Sequence, residues 1–270
     1  MSELNRLEQI IATKQREVSE RKSLYPTKLL EQSVHFPAPT LSMKKYLLDK
    51  GKSGIIAEFK RRSPSRGDIN PYAQVEEVSI SYIQAGCSGL SVLTDKTYFG
   101  GSNKDLETAR AFNFCPILRK DFIIDEYQIV EARSIGADLI LLIAEVLENA
   151  EVTRLAKFAH SLGLEVLLEM HHKDQLHKLS EDIDLVGVNN RDLKTFDVNI
   201  KTSLELVDLI PDGFTKISES GISTPQSILK LKSAGFDGFL IGENFMRTSD
   251  PGKTCLHFIQ RINNLEKQMQ

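Results

Sequence analysis

The stretch "GIIAEFK", residues 54–60, decides how the rest of the chain is read. Ile55, Ile56, Ala57 and Phe59 form a short, largely β-branched apolar run, the pattern of a strand buried on both faces. Glu58 and Lys60 interrupt it. They stand two apart, so on a strand they project to the same face. A buried ion pair would explain that placement, and so would the floor of a pocket.

Working outward, the same kind of segment recurs as "GLSVLTD" (89–95), "PILRKDF" (116–122), "LILLIAEV" (139–146), "EVLLEM" (165–170), "LVGVNNR" (185–191), "TKISESG" (215–221) and "GFLIGENF" (238–245). Amphipathic stretches such as "NAEVTRLAKFAHSLG" lie between them. Several close on a glycine, Gly86, Gly136, Gly163 and Gly235, as helix C-termini do. Thr224-Pro225 reads as an N-cap followed by proline in the first helical position. Eight strands alternating with helices predict parallel pairing through right-handed crossovers, and closure gives a (β/α)8 TIM barrel, an α/β fold. An open doubly wound sheet competes, but no G-x-G-x-x-G is present, and "GKSG" at 51–54 lacks the earlier glycine of a nucleotide loop, having Tyr46 there.

Before the barrel, Leu4, Leu7, Ile10, Ile11 and Val18 keep helical spacing, and Pro26, Pro37 and Pro39 then break the chain. The expected organisation is a single domain over 1–270, a barrel at 54–270 preceded by a helical extension over 1–53. The 270 residues are 41% hydrophobic with a net charge of −3, enough for a full core and no footprint for nucleic acid or a membrane surface. The N-terminus carries no signal-like apolar region, and "LILLIA" (139–144) is too short to span a bilayer. Cys87, Cys115 and Cys255 are widely spaced with no C-x-x-C, the usage of reduced thiols in a cytoplasmic protein. His171, His172 and His177 do not have zinc spacing; they read as the start of a surface helix, and no metal is expected.

Barrel chemistry sits at the C-terminal ends of the strands. There the sequence places Glu58 and Lys60 on strand one, Lys120 in phase with Leu118, Glu169 with Leu167, Asn189 and Arg191 with Gly187, and Glu219 with Ile217. Each taken alone could be a structural charge. Five strands placing polar groups at one end, each in phase with an apolar face, predict a charged mouth, because every inward charge costs desolvation. Gly221 and Gly242 end the last two strands, where barrels often bind phosphate on backbone N–H groups. The loop "RRSPSRGDINP" is long enough for a mobile cover, and Arg61, Arg62 and Arg66 would steer a dianion.

"IIAEFKRRSPSRG", "LSVLTDKTYFGGS", "PILRKDFIIDEYQI", "GVNNRDLKTFDVN", "SESGIS" and "FLIGENFMR" together resemble the indole-3-glycerol phosphate synthase family, in order and at its spacing from about residue 54 to 248. The resemblance implies a (β/α)8 barrel that converts 1-(o-carboxyphenylamino)-1-deoxyribulose 5-phosphate to indole-3-glycerol phosphate, carbon dioxide and water, without cofactor or metal. It implies Lys120 as general acid, Glu169 as general base, Lys60 as a substrate-contacting lysine partnered by Glu58, and Asn189 and Arg191 near the substrate hydroxyls. Glu219 stands at the mouth of strand seven. Phe99, Phe122, Leu141, Leu193 and Leu240 match the apolar positions around the aromatic ring. Ser63, Ser220, Gly221, Gly242 and Glu243 match the phosphate set, Glu243 through its backbone N–H. Arg62 departs from the smaller residue often found there. The expected partner is the phosphorylated small molecule alone, bound to a monomer. A phosphoribosyl isomerase, a Schiff-base aldolase and an inactive phosphate-binding scaffold are the alternatives.

Overall fold

The structure, a computed structural model, describes residues 5–192 and 197–269. Eight parallel strands close into a barrel: β1 Ile55–Phe59, β2 Gly89–Leu93, β3 Ile117–Lys120, β4 Leu139–Ile143, β5 Glu165–Met170, β6 Leu185–Asn189, β7 Thr215–Glu219 and β8 Gly238–Ile241. Closure is made by β1 against β8, with Ile55 opposite Phe239 and Ala57 opposite Ile241. All eight predicted segments form strands. The strands stop short of the polar ends of most of these segments, those of "PILRKDF" and "LILLIAEV" at Lys120 and Ile143.

The strand parity predicted from sequence sorts the core in two. Ile56, Leu118, Leu139, Leu141, Ile143, Leu167, Leu185, Ile217 and Leu240 fill the barrel interior. The alternate residues, among them Ala57, Val92, Ile140, Leu168 and Val188, pack outward under the helices. Gly86, Gly136, Gly163 and Gly235 all have positive φ, the left-handed conformation that ends a helix at no steric cost to glycine. Thr224 caps Pro225–Ser233 by accepting from the Ser227 N–H. The helix Pro251–Met269 closes the chain, and among the described residues no helix is long and apolar enough to cross a membrane. The three cysteines are free and buried, with Cys87 and Cys255 sulfurs 3.3 Å apart.

The N-terminal extension reaches both ends of the barrel. Helix α1, Arg6–Leu24, begins with a capping box between Asn5 and Glu8 and buries Ile10, Lys14 and Val18, one stripe at four-residue spacing. Leu7 and Ile10 line the cavity at the C-terminal mouth. The buried member of the stripe with a charge, Lys14, sits 2.9 Å from both Asp95 and Asp121 and 2.8 Å from Glu17. Burial opposes the Lys14 charge, but the two aspartates outweigh it and raise its pKa, while Asp121 falls to about 2, again against burial. Arg21 holds Glu131 at 2.5 Å, and Glu131 also receives Arg119. A lysine and an arginine of α1 thus fasten it to the barrel beside β3.

At the opposite end the short helix Met43–Leu48 plugs the floor. Met43 and Leu47 belong to the interior cluster. Gly89 and Gly238 open β2 and β8 to admit them: a Cβ at Gly89 would stand 2.6 Å from the Met43 thioether, and one at Gly238 3.0 Å from Leu47.

Candidate active site

The inward faces of β1, β3, β5, β6 and β7 end in the side chains that parity predicted. Glu58, Lys60, Lys120, Glu169, Asn189 and Glu219 all line one cavity of about 440 Å³ at the C-terminal mouth. Ser63, Phe99, Phe122, Leu141, Arg191, Ser220, Gly221, Leu240, Gly242 and Glu243 line it as well. Leu193 lies outside the described residues.

Lys120 is the centre of the charge array. Its Nζ donates to Glu169 Oε2 at 2.6 Å and to Glu219 Oε2 at 2.7 Å. Burial disfavours its charge, yet Glu169, Glu219 and Glu58 outweigh burial, so Lys120 is held as an ammonium with a raised pKa. The two carboxylates that share it diverge. For Glu169, burial is overcome chiefly by the Lys120 ammonium, and its pKa falls to about 2. For Glu219, burial dominates, Glu169 and Glu58 add to it, and the pKa is pushed up to about 7. Like charges at one lysine cannot both be fully stabilised, so one carboxyl is set to hold a proton and the other to stay ionised.

Two glycines make room for inward carboxylates. A Cβ at Gly187 would collide with Glu219 Oε1, and a Cβ at Gly242 would stand 2.5 Å from Glu58 Oε1. Glu58 in turn accepts from Lys60 Nζ at 2.6 Å, with Lys60 the more exposed of the two. The opening pair is therefore both an ion pair and a pocket floor.

Strand order separates two sides of the cavity. Phe99, Phe122 and Leu141 follow or belong to β2, β3 and β4; the Phe99 and Phe122 rings lie 6.1 Å apart. Ser220, Gly221, Gly242 and Glu243 follow β7 and β8, across the barrel. There the chain takes two successive left-handed residues, Ser220 at φ 66° and Gly221 at φ 71°. Asn190 supports the turn, donating to Ser218 Oγ at 3.0 Å and to the Ser220 carbonyl at 3.1 Å. Gly242 opens the single helical turn Glu243–Met246. The Glu243 carboxylate lies 3.1 Å from Arg66 and 3.4 Å from Arg191, so its side chain is bound between two cations.

Several expectations are corrected. Arg61 does not face the cavity as a steering charge: it pairs with both Asp105 oxygens at 2.8 Å and packs over Phe59. Arg62 packs against Gly100 and lies 3.8 Å from Asp68, which leaves Arg66 as the arginine of that loop in the cavity wall. The loop itself forms a two-stranded antiparallel ribbon, Arg62–Ser63 against Gly67–Asp68. His171 does not open a surface helix. It is buried in phase with Glu169, and only His172 and His177 reach the surface near the 3₁₀ helix Lys173–Lys178. Among the described residues no cluster of His, Cys, Asp or Glu has the arrangement of a metal site.

Sequence reasoning missed Arg6, Leu7, Ile10, Asp121 and Arg247 in the cavity wall. Leu7 and Ile10 carried a signal, the apolar stripe of α1, but not its destination. Asp121 follows the lysine in "LRKDF" and was read with it only as part of a motif.

A closed barrel with one mouth loaded by lysines, carboxylates and glycine turns defines the class, a (β/α)8-barrel enzyme. The family model described as "Indole-3-glycerol phosphate synthase" matches residues 7–258. The indole-3-glycerol phosphate synthase of Bacteroides thetaiotaomicron is 48% identical over 256 residues, covering 95% of this chain and 98% of that one. That of Laribacter hongkongensis is 42% identical over 256 residues, covering 93% and 97%. The chain belongs to the indole-3-glycerol phosphate synthase family. Among solved structures, 3-hexulose-6-phosphate synthase from Salmonella typhimurium superposes with a TM-score of 0.61 at 12% identity, over 78% of this chain and 99% of that one, a likeness of fold alone.

Proposed function

We propose that this cavity closes the indole ring of indole-3-glycerol phosphate from 1-(o-carboxyphenylamino)-1-deoxyribulose 5-phosphate, releasing carbon dioxide and water. The substrate lies with its phosphate at the Ser220–Gly221 turn and Gly242, beside Arg66, and its ring against Phe99, Phe122, Leu141 and Leu240. The observation that carries the reading is one buried lysine, Lys120, that donates to two buried carboxylates, Glu169 and Glu219, in the cavity wall.

Ring closure joins an aromatic carbon to the ketone carbon, and the ketone oxygen must gain a proton. Lys120, held charged by its neighbours, donates it as general acid. Loss of the carboxyl as carbon dioxide restores the aromatic ring. Dehydration then removes the new hydroxyl with one proton and takes a second proton from the neighbouring methylene. Lys60, oriented by Glu58, serves the anionic substrate and shares acid duty. Glu169 takes the methylene proton as general base. Glu219, holding a proton near neutral pH, limits the negative charge around Lys120. Asn189 and Arg191 contact the substrate hydroxyls. The apolar wall excludes water and strengthens each of these interactions.

The test uses the absence of tryptophan from the chain. Purified protein mixed with the substrate, without added metal or cofactor, should generate indole fluorescence and stoichiometric carbon dioxide over a protein background that contains no indole. Binding without either product would overturn the reading in favour of an inactive scaffold.

A further inference from the structure

His171 is a buried titratable group beside this mouth that the proposed chemistry leaves idle. It is 4% exposed, and neither ring nitrogen has a hydrogen-bond partner. Each unmet buried nitrogen is destabilising, a cost that an apolar residue of similar size would avoid. Its backbone is fixed elsewhere: the His171 N–H donates to Gln175 Oε1 at 2.7 Å, and Gln175 donates to Glu145 at 2.6 Å. The ring is therefore presented rather than engaged, and what it faces is the proposed base. His171 Nε2 lies 3.6 Å from Glu169 Oε1. That is the carboxylate oxygen Lys120 does not touch, since Lys120 donates to Oε2.

We propose that His171 is a positioning residue for the base: its neutral Nε2 accepts a hydrogen bond from Glu169 Oε1–H once Glu169 has taken the substrate's proton. This rests on the reading of Glu169 as base. In that step the methylene C–H bond breaks and its electron pair enters the new ring double bond. The hydroxyl leaves as water with a proton from a lysine ammonium. The methylene proton ends on Glu169 Oε1, shared with the imidazole, and no charge is created on His171. The separation needs to shorten by less than about 1 Å to become an O–H···N bond.

The arrangement answers a difficulty in the resting site. Lys120 holds Glu169 down at about 2, which makes it a weak base. An acceptor that meets only the protonated form raises its proton affinity at the moment of transfer. The imidazole must be neutral to do so. Burial lowers its pKa, with Glu169 and Glu145 opposing and His172 and Lys120 assisting, so it is neutral.

The experiment compares H171L, H171Q and E169Q with the unaltered enzyme. It uses substrate carrying hydrogen or deuterium on the methylene between the nitrogen and the ketone. H171L is expected to lose about ten- to a hundredfold in kcat with KM little changed, and to show a larger deuterium effect on kcat. H171Q, which restores an acceptor oxygen near Nε2, should recover most of the loss. H171L with unaltered kcat and isotope effect, while E169Q is inactive, overturns the role of His171 and leaves the base assignment standing. Equal loss in H171L and H171Q with no change in isotope effect also overturns it, since that is a packing defect. Full turnover by E169Q overturns both.

Discussion

The two mouths of the barrel are built from the same eight strands and finished in opposite ways. At the N-terminal mouth Met43 and Leu47 fill the interior, and both are buried against Gly89 and Gly238. At the C-terminal mouth the same inward positions carry Glu58, Lys120, Glu169, Asn189 and Glu219 around a cavity. One end gains stability from close packing. The other accepts buried charge, a carboxyl with its pKa pushed up to about 7 and a turn with a non-glycine residue at positive φ. Stability and chemistry are thus separated along the barrel axis, and the N-terminal extension serves both, with α1 above and the plug below.

The comparison breaks most visibly at Lys120. Lys120→Met should lower kcat by about 10³-fold, measured by indole fluorescence at saturating substrate; turnover near that of the unaltered enzyme would remove the acid assignment. The floor should respond in the reverse sense. Met43→Ala is expected to cost about 2–5 kcal/mol of stability by urea unfolding, through lost burial and the cavity left behind, while kcat at 25 °C stays close to that of the parent. A large fall in kcat in a still-folded Met43→Ala protein would mean that the two ends are not independent.

Glu219 sharpens the contrast, because removing an active-site charge should stabilise the fold. Its folded pKa is raised, so the native state binds more protons than the unfolded chain between about 4.5 and about 7. Stability is therefore retained at pH below the unfolded value and lost as pH rises through the folded one. Glu219→Gln should match the parent near pH 4.5 and exceed it above pH 7, by up to about 3 kcal/mol for a shift of this size, while turning over more slowly. Thermal unfolding at the two pH values checks this; an advantage largest in acid would contradict it. The smallest effect is expected at Asn190. Asn190→Ala removes two donors from the Ser218–Ser220 turn and should raise KM about tenfold, each bond being worth about 0.5–1.5 kcal/mol, with kcat largely preserved.

Much of this was legible in the chain because a strand has a period of two. Once Ile56 is placed inward, Glu58 and Lys60 must follow, and the same holds from Leu118 to Lys120 and from Leu167 to Glu169. Gly86, Gly136, Gly163 and Gly235 marked helix ends for a local reason, the freedom of glycine at positive φ. What was not legible depended on contacts distant in sequence. The apolar stripe of α1 predicts a buried face but not the cavity that Leu7 and Ile10 line. Gly187 reads as a weak strand residue until Glu219, 32 positions later by residue number, is seen to need its space. His171 was misread because a pair of adjacent histidines before a polar stretch resembles a surface, whereas strand parity extended one more step past Glu169 would have turned it inward.

The reach of the extension also has a consequence for the order in which the molecule is made. Its plug is synthesised early, yet Leu47 packs against Gly238 in the last strand. At about 5–20 residues per second, that partner emerges on the order of ten seconds or more after the helix that needs it. Through that interval Met43 and Leu47 are without their native pocket, and β1 is without the neighbour that closes the ring. The floor and the closed ring of strands therefore come into being together, once β8 has been made, and the strands that precede it have no working half.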